Sequence, residues 1–323
     1  MKTTKPEKLK SVRYSKYGYW FILPFFIVYT VFSLWPLIST FYYSLFAYTT
    51  RNLKETITFT GLGNYLKLLG LADGEKAYFL KYLGNTLRIW VFNFIPQIAL
   101  SLLAAAWLTD SRVRLRGKGA YKVLIYMPNI ITAASISLLF YAFLSQYGPL
   151  MSVLRNAGLI SQNSNIMSST WGTSLAISFI LLWMWYGNTT LLLISGMMGI
   201  NASLYEAADL DGASTWQKFT RITLPLLKPI LVYVLVTSAI GGLQLYDIPA
   251  LFNASGYIGL PDDTSTTVTM YIMRLHSTDT GRAAAVSIML FLITVLISLF
   301  LFRAMRQSES GRRRKKAEGG GQS

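Results

Sequence analysis

Few side chains in this 323-residue chain could carry covalent or metal chemistry. It has no cysteine and one histidine, His276 in a loop, so disulfides and thiolate metal sites are excluded, and with no acids grouped in the apolar segments a nucleophile–base pair or metal cluster of an enzyme is disfavoured. The residues whose spacing could do work are of another kind. Glu206-Ala207-Ala208-Asp209-Leu210-Asp211-Gly212, continuing to Pro225, is a polar interruption between two long apolar segments. Ser203 stands three before Glu206 and Ser214 three before Gln217, the spacing of a capping box, which predicts two short helices. Gly212 separates them where a left-handed backbone costs least. Trp216 and Phe219 share a helix face with Ile222 one turn on. Pro225, after Leu224, tolerates only a first turn and is expected to start the next segment. The product is a small helix–turn–helix knob at a membrane surface, which on these residues alone could also be a capped amphipathic helix pair lying on the bilayer.

A second set flanks it. Trp183, Trp185, Tyr186 and Asn188 precede the knob; Ser238, Gly241, Gly242, Gln244, Tyr246 and Asp247 follow it. Sugars present C–H faces that stack on rings and hydroxyls that need amide or hydroxyl partners. Packing alone also explains an aromatic cluster, but Asn188 within hydrocarbon needs a partner: another helix, water or substrate. Paired glycines permit a kink or close approach. Asp247 is the only acid inside an apolar segment, either a functional carboxylate or an interfacial one.

These groups need long apolar elements to hold them. The chain is 53% hydrophobic with a mean hydropathy of +0.41. Runs longer than a soluble core requires predict an all-α integral membrane fold of six spans, roughly 19–45, 85–109, 120–145, 171–200, 225–252 and 281–303. The first run is too long for a cleaved signal and is expected to stay as an anchor. The net charge of +16 alternates with the spans. Segments 1–18, 110–119 (Arg112, Arg114, Arg116, Lys118), 201–223 and 304–323 carry most of the basic residues, whereas 146–170 holds only Arg155 and 253–280 only Arg274. This positive-inside bias places both termini and the Glu206 loop in the cytoplasm. Three parts follow: a basic tail 1–18, a six-span domain 19–303 with the helix–turn–helix loop at 201–225, and a basic tail 304–323 whose Arg312–Lys316 run is a topology signal or, secondarily, a lipid contact. Basic residues that alternate with topology do not line a nucleic-acid face.

The loop closely resembles the EAA loop of permease subunits in bacterial ABC importers. Glu206, Ala207, Ala208, Gly212, Ile222, Leu224 and Pro225 stand at the family's spacings without departure. Gly61-Leu-Gly-Asn-Tyr65, Asn85-Thr86-Leu87, Gln146-Tyr-Gly148 and Leu154 to Leu159 are similar to elements of the family's maltose-type carbohydrate branch. The resemblance implies that the loop is a coupling helix docking in a cytoplasmic ABC ATPase dimer, that ATP and magnesium bind on that partner, that a second and different six-span permease completes the pathway, and that an extracytoplasmic sugar-binding protein delivers substrate. It implies residence in the bacterial inner membrane and no cofactor in this chain. Counted from Glu206, the branch's sugar contacts fall at Leu181, Met184, Trp185 and Asn188, and at Ser238, Gly241, Gly242 and Leu245. No phosphate-loop spacing occurs, so an ATPase must be a separate chain. The alternative is a secondary transporter driven by an ion gradient. It needs ionisable groups deep in the spans and often inverted repeats, and apart from Asp247 the spans are read as having neither.

Overall fold

The computed structural model describes residues 15–51, 54–72, 74–110, 116–161, 165–252 and 258–319. Most of the basic N-terminal tail, together with Arg112 and Arg114, lies outside them. Six helical segments are long and apolar enough to cross a membrane.

Helix α1, Ser15–Tyr29, carries Pro24 and passes through a π-turn, Thr30–Leu34, into α2, Trp35–Ser44. Pro36 cannot donate to the carbonyl four residues back, and the wide turn lies where that bond is missing. A two-stranded antiparallel hairpin follows, β1 (Phe46–Arg51) with β2 (Lys54–Phe59), Phe46 opposite Phe59. The connection between the first two spans therefore contains this hairpin and α3, Gly63–Leu68. The Gly-Leu-Gly-Asn-Tyr element has a local job there. Asn64 Nδ2 donates to the carbonyls of Ser44 and Phe46, both at 2.9 Å, and Tyr65 Oη donates to Ser44 Oγ at 2.7 Å.

Helix α4, Tyr78–Thr109, begins well before the expected 85. The third segment departs further. It divides into α5 (Lys118–Ile130) and α6 (Ala133–Leu144), where one span over 120–145 was expected. Thr132 caps α6 by accepting from Ser135 N, and Asn129 Nδ2 donates to Met184 O at 3.3 Å, so local polar bonds compete with the helix at 131–132. Helix α7, Pro149–Asn156, follows within the same candidate span, Ala133–Asn156, with Met151 fully buried.

Helix α8, Thr170–Met198, leads to α9, Ala202–Leu210, and α10, Thr215–Lys218. A second π-turn, Phe219–Thr223, joins α10 to α11, Leu224–Leu243. Helix α11 starts with Pro225 in its first turn, as expected, but no break precedes it. Helix runs through Pro225, because the wide turn again accommodates the missing donor. Helix α11 stops at Leu243, not 252; Gln244–Tyr246 is unwound and α12, Asp247–Phe252, resumes beyond. Helix α13, Val268–His276, ends in the exposed His276, and α14 runs Thr280–Gly319.

Helices α4 and α8 form the central pair; α5 packs on α8, and α11 on α4 and α14. The small-residue run Ala104–Ala106 does what small residues allow: Ala105 is fully buried in a cluster with Leu193 and Ile194 of α8 and Leu227 of α11. Helix α1 presents apolar side chains outward along its length, and only α2 packs back, against α14.

Candidate functional site

Three walls enclose a cavity of about 420 Å³, within the usual range of ligand sites. Helix α8 supplies Leu181, Met184, Trp185 and Asn188, whose spacing keeps them on one face. Helix α11 supplies Ser238, Gly241 and Gly242. The unwound residues Gln244, Leu245 and Tyr246 close one end with Asp247, in the first turn of α12. Every pathway position expected from the sequence thus lines one space. The third wall went unread. Trp90, Asn93 and Gln97 of α4 stand at intervals of three and four, a polar stripe in phase with a helix inside an apolar span, and that phase was the available signal.

The α4 stripe ties the walls together. Trp90 Nε1 donates to Ser238 Oγ at 3.1 Å, crossing to α11. Gln97 Nε2 donates to Thr189 Oγ1 at 2.8 Å, crossing to α8. Gly242 is the close-approach glycine: a Cβ there would overlap the Trp90 indole, whereas one on Gly241 meets nothing within 4 Å. Between the two bonds Asn93 Oδ1 is buried without a partner among the described residues. The aromatic quartet on α8 divides. Trp183 packs against Phe140, ring centres 5.7 Å apart, while Trp185 is 47% exposed on the cavity.

An outer network fixes the unwound segment. Thr267 Oγ1 donates to Leu245 O at 2.7 Å and also caps α13. The Asn-Thr pair of α4 holds the same loop: Asn85 Nδ2 donates to Asp263 O and Thr266 O, and Thr86 Oγ1 accepts from Val268 N. Asp263 accepts from Tyr82 Oη at 2.9 Å and pairs with Arg274 at 3.2 Å. Burial pushes the Asp263 carboxyl up, but hydrogen bonds from Tyr82 and Thr266 and the Arg274 charge outweigh it and hold the group below the usual carboxylate range. Two further ionisable groups correct the reading that none but Asp247 lies within the spans. Arg88 of α4 donates to Thr264 O at 2.6 Å and stacks on Trp171; Lys228 of α11 has a buried Nζ without a partner among the described residues.

The 201–225 loop forms a helix–turn–helix. Asn201, not Ser203, caps α9 by accepting from Ser203 N, and Glu206 makes no reciprocal bond. The expected first capping box is therefore absent; Asn201, two residues earlier, competes better for the free amides. The second box is present, with Ser214 Oγ accepting from Gln217 N and Gln217 Oε1 accepting from Ser214 N. Gly212 has φ 73°, and Ala213 N donates back to Ala208 O, closing α9. Lys218 is buried and its Nζ donates to Asp209 Oδ1 at 2.6 Å, locking α10 to α9. Tyr205 Oη and Thr223 Oγ1 lie 2.8 Å apart, tying α9 to the π-turn. Trp216 and Phe219 share a face, ring centres 6.0 Å apart; Phe219 packs into the core, while Leu210 and Trp216 are 90% and 71% exposed. Glu206, Ala207 and Asp211 are exposed; Ala208, Ile222, Leu224 and Pro225 are partly buried.

The chain is 29% identical to the lactose transport system permease protein of Rhizobium radiobacter over 95% of its own length and 99% of that protein's. It is 31% identical to the arabinooligosaccharides transport system permease protein of Bacillus subtilis, covering 87% and 86%. A solved bacterial ABC transporter involved in the import of the acidic polysaccharide alginate superimposes with a TM-score of 0.76 at 22% identity, over 91% of this chain and 96% of that one. Residues 89–314, which contain both the cavity helices and the 201–225 loop, match the family of binding-protein-dependent transport system inner membrane components, and the chain belongs to that family.

Proposed function

We propose that this chain is a permease subunit of an ATP-driven carbohydrate importer, supplying half of the translocation pathway and receiving work from a separate ATPase at the 201–225 loop. The observation that carries the reading is the convergence on one cavity of aromatic faces (Trp90, Trp185, Tyr246) with amides and hydroxyls (Asn93, Asn188, Ser238). That mixture suits a glycan, whose rings need stacking and whose hydroxyls need partners. Relatives over nearly the full length that carry lactose and arabinooligosaccharides support the substrate class.

The loop sits between α8 and α11, the helices that make two of the three walls. In this reading, Leu210 and Trp216 are apolar anchors that enter a cleft of an ATPase dimer, which binds ATP and magnesium. Displacement of the loop then moves both walls. A second permease closes the cavity, an extracytoplasmic binding protein delivers the glycan, and both termini and the loop face the cytoplasm. Family membership in a binding-protein-dependent system disfavours the ion-gradient alternative.

The test begins with mass spectrometry of what co-purifies with the tagged chain in mild detergent. A soluble ATPase with a second six-span subunit is expected, and its ATPase activity in vesicles should rise with a binding protein and its oligosaccharide. Recovery of the chain alone, or a complex indifferent to every neutral oligosaccharide tried, would overturn the reading.

A further inference from the structure

The cavity carries one formal charge. Asp247 lines it and is exposed, with no ion pair or hydrogen bond of its side chain among the described residues. No lysine, arginine or histidine among the described residues lines the space. Of the cations on neighbouring elements, Arg88 is engaged by Thr264 O, Asn85 Oδ1 and the Trp171 ring, and Arg274 by Asp263 and Tyr82, while Lys228 of α11, whose Nζ is buried without a partner among the described residues, does not line the space. The remaining polar groups of the walls are amides, hydroxyls and indole N–H groups, which are uncharged. A carboxylate at the unwound end of α11 therefore sets the potential of this half of the pathway.

We propose that Asp247 is a specificity-determining residue that admits uncharged or amino-bearing glycans and rejects uronates. This rests on the cavity being the glycan pathway. A uronate entering would bring like charge toward Asp247 with no described cation lining the cavity to offset it, whereas an ammonium on an amino sugar would be drawn to it. The fold neighbour that imports alginate, an acidic polysaccharide, shares only 22% identity, and the charge at this cavity points the other way.

The absence of cysteine gives a direct readout that needs no knowledge of the substrate. Gly241→Cys places one thiol in open space on the cavity wall. Within the assembled complex, its modification by a cationic reagent (trimethylammonioethyl methanethiosulfonate) is timed against that by an anionic one (sulfonatoethyl methanethiosulfonate), reading this chain by mass spectrometry. Rates at Tyr147→Cys, an exposed external position, supply the reference ratio. The cation should be favoured at 241 by about tenfold over that reference, from Coulomb attraction and repulsion across a water-filled gap. Asp247→Asn should bring the ratio close to the reference, and Asp247→Glu should restore it. A ratio at 241 equal to or below the reference, or one unchanged by Asp247→Asn, overturns the assignment. If the ratio behaves as expected yet no glycan stimulates transport, the charge assignment stands and the carbohydrate reading fails.

Discussion

Replacing Gly242 by alanine adds one methyl group at the tightest point between α4 and α11. The new Cβ would sit 2.5 Å from Trp90 Cγ and 2.8 Å from its Nε1, where ordinary contact begins at 3.4 Å. The indole is not free to yield. Its Nε1 is bound to Ser238 Oγ, and its face stacks on Phe94 with ring centres 5.6 Å apart. Either the indole leaves Ser238 or α11 moves away from α4. Overpacking of this kind costs about 1–3 kcal/mol, and losing the hydrogen bond adds about 1 kcal/mol. In thermal unfolding of the purified complex, each kcal/mol corresponds to about 2–4 °C. Gly241→Ala, one residue away, meets nothing within 4 Å and exchanges glycine for a better helix former. It should leave the midpoint unchanged or raise it slightly. Trp90→Leu removes the obstructing ring, so in that background Gly242→Ala should lose less than half its original cost. Coupling between the two sites should exceed about 1 kcal/mol. Equal losses at 241 and 242, or an additive double-mutant cycle, would refute the claim that Trp90 dictates the glycine.

Four further outcomes follow from the 201–225 loop and the network around Asp263. Ser214→Ala should cost about 1 kcal/mol in unfolding, whereas Ser203→Ala should cost almost nothing, because Ser203 caps no helix; equal effects would restore the box rejected above. Glu206→Gln should leave the midpoint unchanged but weaken recovery of the ATPase with the chain, since Glu206 is exposed and does not close a capping box; undiminished recovery would show that its charge does no docking work. Asp209→Asn leaves the buried Lys218 ammonium without its partner and should loosen α10 against α9, seen as faster hydrogen exchange over residues 215–223; unchanged exchange would count against the bridge. Asp263 is held below its usual range, so its contribution is complete above about pH 4 and is lost as pH falls through the lower folded value. Exchange of residues 258–267 should rise at that acid limb, and Asp263→Asn should abolish the limb; an identical limb in the variant would assign it to another group.

The sequence disclosed most where one principle acted alone. Long apolar runs located the spans because hydrocarbon demands them, and Gly212 declared its left-handed turn because no Cβ competes there. Reading failed where two local preferences met. Pro225 stands in a first turn, as its missing donor predicts, yet the π-turn at Phe219–Thr223 joins that turn to α10 without a break. Ser203 looked like a cap, but Asn201 lay within reach of the same amides. Arg88 was overlooked because its neighbours are apolar in sequence. Its partner, Thr264 O, lies 176 residues away, a distance no local pattern encodes.

The passage of helix through Pro225 has the larger consequence. In the proposed mechanism, a helix that restarted there would place a hinge between the 201–225 knob and the cavity, and displacement of Trp216 would dissipate in it. Instead, Thr215–Leu243 is one apolar helical segment with a single wide turn, and Tyr205 of α9 and Thr223 of that turn lie within hydrogen-bond distance. On the other side α8 is helical from Trp185 and Asn188 to Met198, and the turn at residues 199–201 leads into α9. The α11 wall is therefore continuous with the 201–225 knob, whereas the α8 wall reaches it through the short turn at residues 199–201, and Trp90 and Gln97 bind both walls to a common third helix. The unwound residues 244–246 lie at the far end, beyond Gly241 and Gly242, where compliance would let Asp247 and the rings shift around a substrate while the knob-side shaft stays stiff. Stiffening that end with Gln244→Ala, so as to favour helix there, should slow transport more than it alters ATPase binding. Loss of both together would mean that the compliance lies in the knob.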